Sequence, residues 1–168
     1  SHDFTKVIER SRNVASGMSK GVNFLMKKNK IDILKGFGKI KKDKVVSVDG
    51  TDYSAKHIII ATGAKSRDLP SIPQDGKKII GYREAMTLEK QPKSITIVGS
   101  GAIGIEFAYF YNSIGSDVTV IEYMPNIVPL EDVDVSKELE KSFKKKGIKI
   151  MTSSEVISVE KKKNKVLA

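Results

Sequence analysis

The amino-acid sequence predicts an α/β protein with a parallel sheet, flanking helices and additional β-hairpin or meander elements. After residue 90, apolar runs and helical patterns alternate as strand 94–98, helix 102–114, strand 117–122, helix 132–146 and strand 148–152. This alternation is typical of parallel strands joined by right-handed crossovers. A glycine-rich turn separates the first of these strands from the helix that follows it. The second half of the chain is therefore predicted to fold as a βαβαβ unit.

The first half of the chain is predicted to contain one long helix and several short β segments. Apolar residues recur at three- and four-residue spacing within residues 3–28, which favours an amphipathic helix. Ile31–Leu34 predicts a short strand, and residues 44–48 before the turn Asp49-Gly50 predict a β-hairpin. Ile58–Ile60 predicts a fully buried strand. Such a strand needs neighbours that this half does not provide, so we expect part of the fold to lie outside the sequence.

The chain is predicted to divide into two domains near residue 90. Prolines and glycines from Pro70 to Gly81 indicate an irregular connector, and Pro92 directly precedes a new apolar strand. We therefore expect domains at residues 1–90 and 91–168, each of them incomplete. The tail from Val156 is predicted to add a further pair of strands.

Composition excludes several classes of function. Of the 168 residues, 30 are Lys or Arg and 20 are Asp or Glu, which gives a net charge of +10. The lysines gather at predicted helix ends and in the turn 161–165 without interleaved aromatics, so a solvated face is favoured over a nucleic-acid surface. The absence of cysteine excludes a disulfide framework, a thiolate metal site and a cysteine nucleophile within this sequence. No apolar run approaches the length of a membrane span.

Residues Gly99 to Gly104 form the pattern G-x-G-x-x-G, with Ser100 at its second position, between a predicted strand and a predicted helix. In this context, Gly99 permits a tight turn and Gly101 lets the backbone approach a pyrophosphate. Gly104 allows the helix to pack closely on the sheet. The helix that begins near Ala102 offers backbone N–H groups to phosphates. The pattern therefore predicts a Rossmann-like fold that binds FAD or NAD(P).

Within the predicted helix, the spacing places Ile103, Phe107, Phe110 and Ile114 along one face. Glu106 lies in the first turns of the helix. From the residues alone, it is interpreted as a carboxylate near the positive end of the helix or paired with a basic neighbour, rather than as a functional group.

Glu122 ends the second strand of the predicted unit, 18 residues after Gly104. This is close to the spacing of about 20 residues for an acid that binds the ribose of a dinucleotide. A carboxylate at this position accepts hydrogen bonds from both ribose hydroxyls and repels a 2′-phosphate, and no arginine follows Glu122 nearby in the sequence. NAD is therefore predicted over NADP. The alternative is a glycine turn that only packs a helix on a sheet, with a solvated Glu122.

Several separate stretches resemble one family, the pyridine nucleotide–disulfide oxidoreductases, and within it the dihydrolipoyl dehydrogenases. The stretches are Lys35–Ile40, Ile58–Ala64, Gly99–Ala108, Val120–Glu122 and Pro125–Pro129. The resemblance implies an FAD domain followed by an inserted NAD domain, so that residues 1–90 are the later part of the first domain and 91–168 the earlier part of the second. The full enzyme would oxidise dihydrolipoyl groups, pass two electrons to FAD and reduce NAD⁺ to NADH.

The resemblance also implies roles for residues at the FAD. The backbone at Gly38 would meet the adenine region of FAD. Thr62, Gly63 and Ala64 would lie against FAD as the turn between a strand and the connector.

At the NAD, the resemblance implies that residues 99–106 frame the dinucleotide, that Glu122 holds its ribose and that Val156 contacts the adenine through its backbone. Ile103 resembles the residue that screens the flavin face on which nicotinamide stacks. Glu106 would pair with a lysine beside the flavin, so the resemblance raises the expectation that it is functional.

Other parts of the family pattern are absent from the sequence. The first glycine fingerprint, the redox cysteine pair and the flavin-side lysine would precede Ser1. The FAD-ribose-contacting acidic segment and the catalytic His–Glu pair would follow Ala168. We therefore expect this chain alone to be an inactive fragment of the enzyme, with no metal site and no complete set of catalytic residues.

The resemblance implies partners for the full enzyme as well. These are the dihydrolipoyl-bearing acyltransferase subunits of 2-oxo acid dehydrogenase complexes, or the glycine cleavage system, and a second copy of the enzyme in a homodimer. Neither nucleic acid nor membrane is expected as a partner. The cytoplasm is the expected compartment, or the mitochondrial matrix if the source is eukaryotic.

Three alternatives stay open. In the first, the chain is part of another flavin disulfide reductase or of an NADH oxidase of the same superfamily. In the second, it is a non-catalytic module that binds NAD as a ligand. A nucleic-acid binder ranks third.

Overall fold

The computed structural model describes residues 3–67, 69–162 and 166–167. Its helices and strands, in chain order, are α1 (Phe4–Lys28), β1 (Gly38–Ile40), β2 (Val45–Val48), β3 (Thr51–Ser54), α2 (Tyr82–Ala85), β4 (Ser94–Val98), α3 (Ala102–Ser113), β5 (Asp117–Ile121), α4 (Val133–Lys145), β6 (Lys149–Met151), β7 (Glu160–Lys161) and β8 (Val166–Leu167). The mixed α/β class is as predicted.

Contacts divide the chain into two compact units. Glu9–Lys65 forms one unit, and Ser66–Ala168 together with Ser1–Ile8 forms the other. We call these the hairpin unit and the sheet unit. The domain boundary near residue 90, predicted from the prolines and glycines before the first strand of the parallel sheet, is a different kind of division, and it stays a prediction.

In the hairpin unit, β1, β2 and β3 form an antiparallel sheet in that order. Asp49 and Gly50 join β2 to β3 with positive φ angles of 46° and 89°, the backbone signs of a type I′ hairpin turn. Asp-Gly suits this turn because glycine adopts positive φ freely and aspartate tolerates it. The predicted hairpin and the predicted long helix are both confirmed.

Two strands predicted in the same unit are wrong. Ile31–Leu34 and Ile58–Ile60 have no regular structure. Ile59 and Ile60 are 89% and 69% exposed rather than buried. A run of isoleucines becomes a strand only when another strand satisfies its backbone hydrogen bonds. Among the described residues, no strand pairs with either segment.

The sheet unit contains the predicted βαβαβ arrangement. β4, β5 and β6 form a parallel sheet in that order, with Ile97 opposite Val120 and Val120 opposite Ile150. The helices α3 and α4 connect successive strands, because parallel strands need a long crossover connection. The core is made of side chains from both layers, chiefly those of Ala108, Tyr111, Val118, Val120, Ile127, Phe143 and Ile148.

Three of the four residues predicted to share a face of α3, namely Phe107, Phe110 and Ile114, are partly buried and pack against the core, but the most buried residues of the helix are others. Ile105, Ala108 and Tyr111 are its buried residues, whereas Ile103 is 53% exposed. The helix is apolar on more than one side, so the pattern did not decide which side faces the sheet. Close contact of Gly104 with the preceding turn fixes the rotation of the helix, and residues four and seven positions later then face the same way.

Charged residues are distributed as a solvated surface. Lysines close α1 and α4, where they complement the negative ends of the helix dipoles. Exposed i,i+3 pairs such as Lys141–Glu138 lie along α4. Of the predicted turn 161–165, residues 163–165 lie outside the described residues, and β7 and β8 flank them as an antiparallel pair. Within the described part of the chain, none of the helices has the length and apolarity required to cross a membrane.

Candidate functional site

The glycine loop joins the end of β4 to the start of α3. Gly99 has a φ of +97°, and its N–H donates to the carbonyl of Ile121 over 2.8 Å. A Cβ added to Gly104 would lie 2.2 Å from the carbonyl oxygen of Gly99. Gly99 is therefore required by its backbone angle and Gly104 by the close approach of the helix to the turn.

Gly101 has a different environment. It caps the N-terminus of α3 with a φ of −64°, an angle that any residue adopts, and a Cβ added there would meet no atom within 4 Å. The packing of the chain itself therefore does not require glycine at this position. The first turn of α3 follows directly, with backbone N–H groups that have no partner within the helix. Open space beside these donors is what a phosphate group needs for close approach.

Glu122 follows β5 directly and lies against the glycine loop. Its carboxylate is buried, and Oε2 accepts hydrogen bonds from the backbone N–H and the hydroxyl of Ser100 at 2.7 and 2.6 Å. Oε1 accepts from the N–H of Met124 at 2.8 Å. Burial raises the pKa of Glu122, but the hydrogen bonds from Ser100 and from the backbone that follows outweigh it, so the pKa lies below its ordinary value. Glu122 is therefore an anion at neutral pH.

These bonds limit what Glu122 can hold. A carboxylate has about four acceptor positions, and the bonds from Ser100 and Met124 fill three of them. The backbone N–H of Tyr123 also acts on this carboxylate, so few acceptor positions are left over, and the binding of ribose hydroxyls by Glu122 stays a prediction. Ser100 is fully buried, so its side chain supports Glu122 rather than facing a ligand.

A cleft of about 360 Å³ opens at the carboxyl ends of the parallel strands. We call it the strand-end cleft. Its lining comes from the connector (Arg67, Leu69, Ser71, Ile72), from the ends of β4 and β5 (Val98, Gly99, Ile121, Glu122, Tyr123) and from the segment after β6 (Ser154, Glu155, Val156). In open α/β sheets, ligands bind at this edge. Apolar walls beside a few polar groups suit a flat heteroaromatic ring attached to a sugar.

The structure brings the predicted NAD residues together. Gly99, Glu122 and Val156 line the strand-end cleft, and Gly101, Ala102 and Gly104 continue from it into α3. The proximity of the glycine loop and Glu122 was predicted from their spacing, whereas the place of Val156 was implied only by the family resemblance. Direct contact with a dinucleotide stays a prediction.

The residues assigned to FAD lie in the hairpin unit. Gly38 begins β1, opposite Val48, and Gly63, which lies between Thr62 and Ala64 in an irregular segment, has a φ of +77°. All four residues are exposed. Their contact with FAD stays a prediction.

Ile103 and Glu106, the two residues of α3 with expected roles beside the flavin, are exposed. Glu106 forms no ion pair with any residue that the structure describes, so the interpretation as a paired carboxylate is not supported within the chain. Ile103 is accessible on the surface beside the glycine loop. Their roles beside the flavin stay predictions.

The sequence did not predict that residues just before and within the connector line the strand-end cleft. Arg67, Leu69 and Ile72 line the strand-end cleft, although their sequence context of prolines indicated only an irregular segment. A positive side chain thus shares the cleft with Glu122, whereas the sequence around Glu122 contains no arginine. No local pattern links residue 67 to residue 122, because the two residues share the cleft only through the tertiary fold.

The parallel sheet, the glycine loop and the acidic end of β5 define a dinucleotide-binding protein of the Rossmann type. Comparison with known proteins narrows this class. The family described as pyridine nucleotide-disulphide oxidoreductase matches residues 1–168, and the chain belongs to this family.

Curated relatives agree with this assignment. The chain is 48% identical to a dihydrolipoyl dehydrogenase of Rhizobium etli over an alignment of 179 positions, gaps included, which covers 95% of this chain and 37% of the relative. It is 44% identical to a dihydrolipoyl dehydrogenase of Zymomonas mobilis, with 90% and 34% covered. The chain therefore spans little more than a third of the length of these relatives.

Solved structures show the same fold. LpdA from Mycobacterium tuberculosis superposes with a TM-score of 0.88 at 26% identity, covering 99% of this chain and 39% of that one. RclA from Escherichia coli, an HOCl-induced flavoprotein disulfide reductase, superposes with a TM-score of 0.75 at 27% identity, covering 98% and 39%.

Proposed function

We propose that this chain forms the NAD half-site and part of the FAD-binding region of a dihydrolipoyl dehydrogenase. The enzyme would oxidise dihydrolipoyl groups and reduce NAD⁺ to NADH. The observation that carries the proposal is the buried, ionised Glu122 held against an open glycine loop at the carboxyl end of a parallel sheet. The identities of 42–48% to curated dihydrolipoyl dehydrogenases support the choice of reaction.

The residues present fit the adenosine and pyrophosphate portions of NAD. A glycine is retained at residue 101 although no atom of the chain lies within 4 Å of an added Cβ, which agrees with the close approach of a pyrophosphate. The anionic carboxylate of Glu122, which lines the strand-end cleft, fits a ribose hydroxyl, and the apolar walls of the cleft fit adenine. When bound, the nicotinamide of NAD⁺ supplies the hydride acceptor. The chain's own part is to bind the dinucleotide, to orient it and to disfavour a 2′-phosphate.

The FAD-binding region is proposed from the family. Pyridine nucleotide-disulphide oxidoreductases use FAD and NAD(P). We assign Gly38 and the turn Thr62, Gly63 and Ala64 to FAD, within a first domain that ends near residue 90. Ile103 and Glu106 would face the flavin from α3, where both side chains are exposed.

The complete reaction needs groups that this sequence does not contain. The chain has no cysteine, so the exchange between dithiol and disulfide depends on residues outside it. We therefore propose that the chain alone lacks activity. Partners of the complete enzyme would be dihydrolipoyl-bearing acyltransferase subunits or the glycine cleavage system, together with a second copy of the enzyme, in the cytoplasm or the mitochondrial matrix.

A second candidate is another flavin disulfide reductase. The likeness to RclA at 27% identity favours it. The two candidates differ in the electron donor, so turnover of dihydrolipoamide with NAD⁺ by the complete enzyme distinguishes them.

Titration of the protein with NADH and with NADPH tests the NAD half-site. We expect NADH to bind more tightly. Glu122→Ala should weaken NADH binding about tenfold, the cost of losing one hydrogen bond to a charged group, and should improve NADPH binding. The matched control is Glu138→Ala, which removes an exposed carboxylate on α4. Equal affinities for both nucleotides in the wild type and the Glu122 variant would contradict the assignment.

A further inference from the structure

One cationic side chain lines the strand-end cleft. Arg67 is exposed, and it makes no hydrogen bond and no ion pair with the residues that the structure describes. The other charged side chains of the cleft are the carboxylates of Glu122 and Glu155. The guanidinium of Arg67 is therefore free to bind a ligand in the cleft.

The position of Glu122 is itself built as an anion site. Three donors converge on its carboxylate: the N–H and hydroxyl of Ser100 and the N–H of Met124. If the carboxylate were absent, these donors would be left without their acceptor beside the cleft. Phosphate oxygens accept such hydrogen bonds as readily as a carboxylate does.

The cleft is small enough for its charges to act on one another. A sphere of the cleft's volume is about 9 Å across, close to the Debye length of about 8 Å at physiological ionic strength. With both carboxylates ionised, the charge of the three side chains is −1, which disfavours the 2′-phosphate of NADP. Without Glu122, the remaining pair Arg67 and Glu155 is neutral, and an arginine then faces a vacant anion site.

We propose that the guanidinium of Arg67 can bind the 2′-phosphate of NADP, and that the negative charge of Glu122 prevents this binding in the native chain. Arg67 and Glu122 together then determine the nucleotide preference, although they lie far apart in the sequence. Arginine suits this role because its planar guanidinium binds phosphate in a bidentate manner. The inference rests on the proposed binding of NAD in the strand-end cleft.

A double-variant cycle tests the inference. Affinities for NADH and NADPH are measured by isothermal titration calorimetry for the wild type, Glu122→Ala, Arg67→Met and the double variant. Glu122→Ala should raise the affinity for NADPH about tenfold, the scale of one hydrogen bond between charged partners, and Arg67→Met should abolish this gain in the double variant. Arg67→Lys in the Glu122→Ala background should restore part of it. Arg12→Met, which removes a positive charge from the exposed surface of α1, is the control for net charge.

The outcomes separate the inference from the proposed function. If NADH binds to the wild type but Glu122→Ala gains the same NADPH affinity with and without Arg67, the role of Arg67 is wrong and the NAD half-site stands. If Arg12→Met removed the gain in NADPH affinity of Glu122→Ala as fully as Arg67→Met does, the inference would also be contradicted, because the gain would then reflect net charge alone. If the wild type binds neither nucleotide, the proposed function fails and the inference fails with it.

Discussion

A methyl group at residue 104 would lie 2.2 Å from the carbonyl oxygen of Gly99 and 3.2 Å from its carbonyl carbon. Both contacts are with backbone, so no side-chain rotation can relieve them. Gly104→Ala therefore forces α3 away from the end of β4. The same shift would open the glycine loop, in which Ser100 holds the carboxylate of Glu122.

The size of the effect follows from two opposing contributions. Overpacking of a close contact costs about 1–3 kcal/mol of the free energy of unfolding, and a backbone contact belongs at the upper end. Alanine is favoured over glycine within a helix by up to about 1 kcal/mol. The net destabilisation expected for Gly104→Ala is therefore about 2 kcal/mol.

Urea denaturation followed by far-UV circular dichroism measures this change. Gly101→Ala is the matched control, because a Cβ there meets nothing within 4 Å and the φ angle of −64° suits alanine. It should change the free energy of unfolding by less than about 1 kcal/mol, the scale of an N-cap change. It should nevertheless weaken NADH binding, since the added methyl group would occupy the space assigned to the pyrophosphate.

The two variants test two separate claims, the close contact of α3 with the glycine loop and the approach of a pyrophosphate to residue 101. A Gly104→Ala protein as stable as the wild type would show that the close contact of α3 with the loop is not as described. Unchanged NADH affinity in Gly101→Ala would show that the pyrophosphate does not approach the chain at this position.

Further predictions concern the buried polar groups. Ser100→Ala removes a 2.6 Å bond to Glu122, so it should lower the free energy of unfolding by about 1–3 kcal/mol and raise the pKa of Glu122, which NMR titration of the carboxyl group measures. Because the folded pKa of Glu122 lies below its ordinary value of 4.5, its stabilising contribution is complete above that pH and declines as the pH falls through the folded pKa. Urea denaturation at pH 7 and pH 3 should therefore show a smaller acid loss for Glu122→Gln than for the wild type, and an equal loss would contradict this. Tyr111 donates a 2.6 Å hydrogen bond to the carbonyl of Ala85, and burial raises its pKa to about 12. Stability should fall as the pH rises from about 10 to about 12, less so in Tyr111→Phe, and absorbance at alkaline pH should show one tyrosine ionising late; ionisation of all five tyrosines near pH 10 would refute it.

The sequence by itself determined the order of strands and helices in the sheet unit. The spacing from Gly99 through Gly104 to Glu122 was sufficient to place a glycine loop and an acidic side chain at the same edge of a parallel sheet. These features depend on local rules, namely glycine at a positive φ, an apolar strand before a helix, and the fixed direction of parallel strands. They are specified by short stretches of sequence and need no information about distant residues.

Pairing and packing between distant segments were decided only by the tertiary structure. Ile58–Ile60 satisfy every local criterion for a strand, yet without a neighbouring strand among the described residues they remain irregular, and Ile59 and Ile60 are exposed. Likewise, the spacing of the apolar residues of α3 did not decide which of them are most buried, because the helix is apolar on more than one side: Ile105 and Ala108 are buried and Ile103 is exposed.

The candidate site shows the same division. Glu122 was predictable because its spacing from the glycine loop is local, whereas its bonds to Ser100 and the presence of Arg67 in the same cleft were not. The charge of the strand-end cleft is the sum over side chains from three separate segments. That sum depends on distances through space, and the sequence alone contains only distances along the chain.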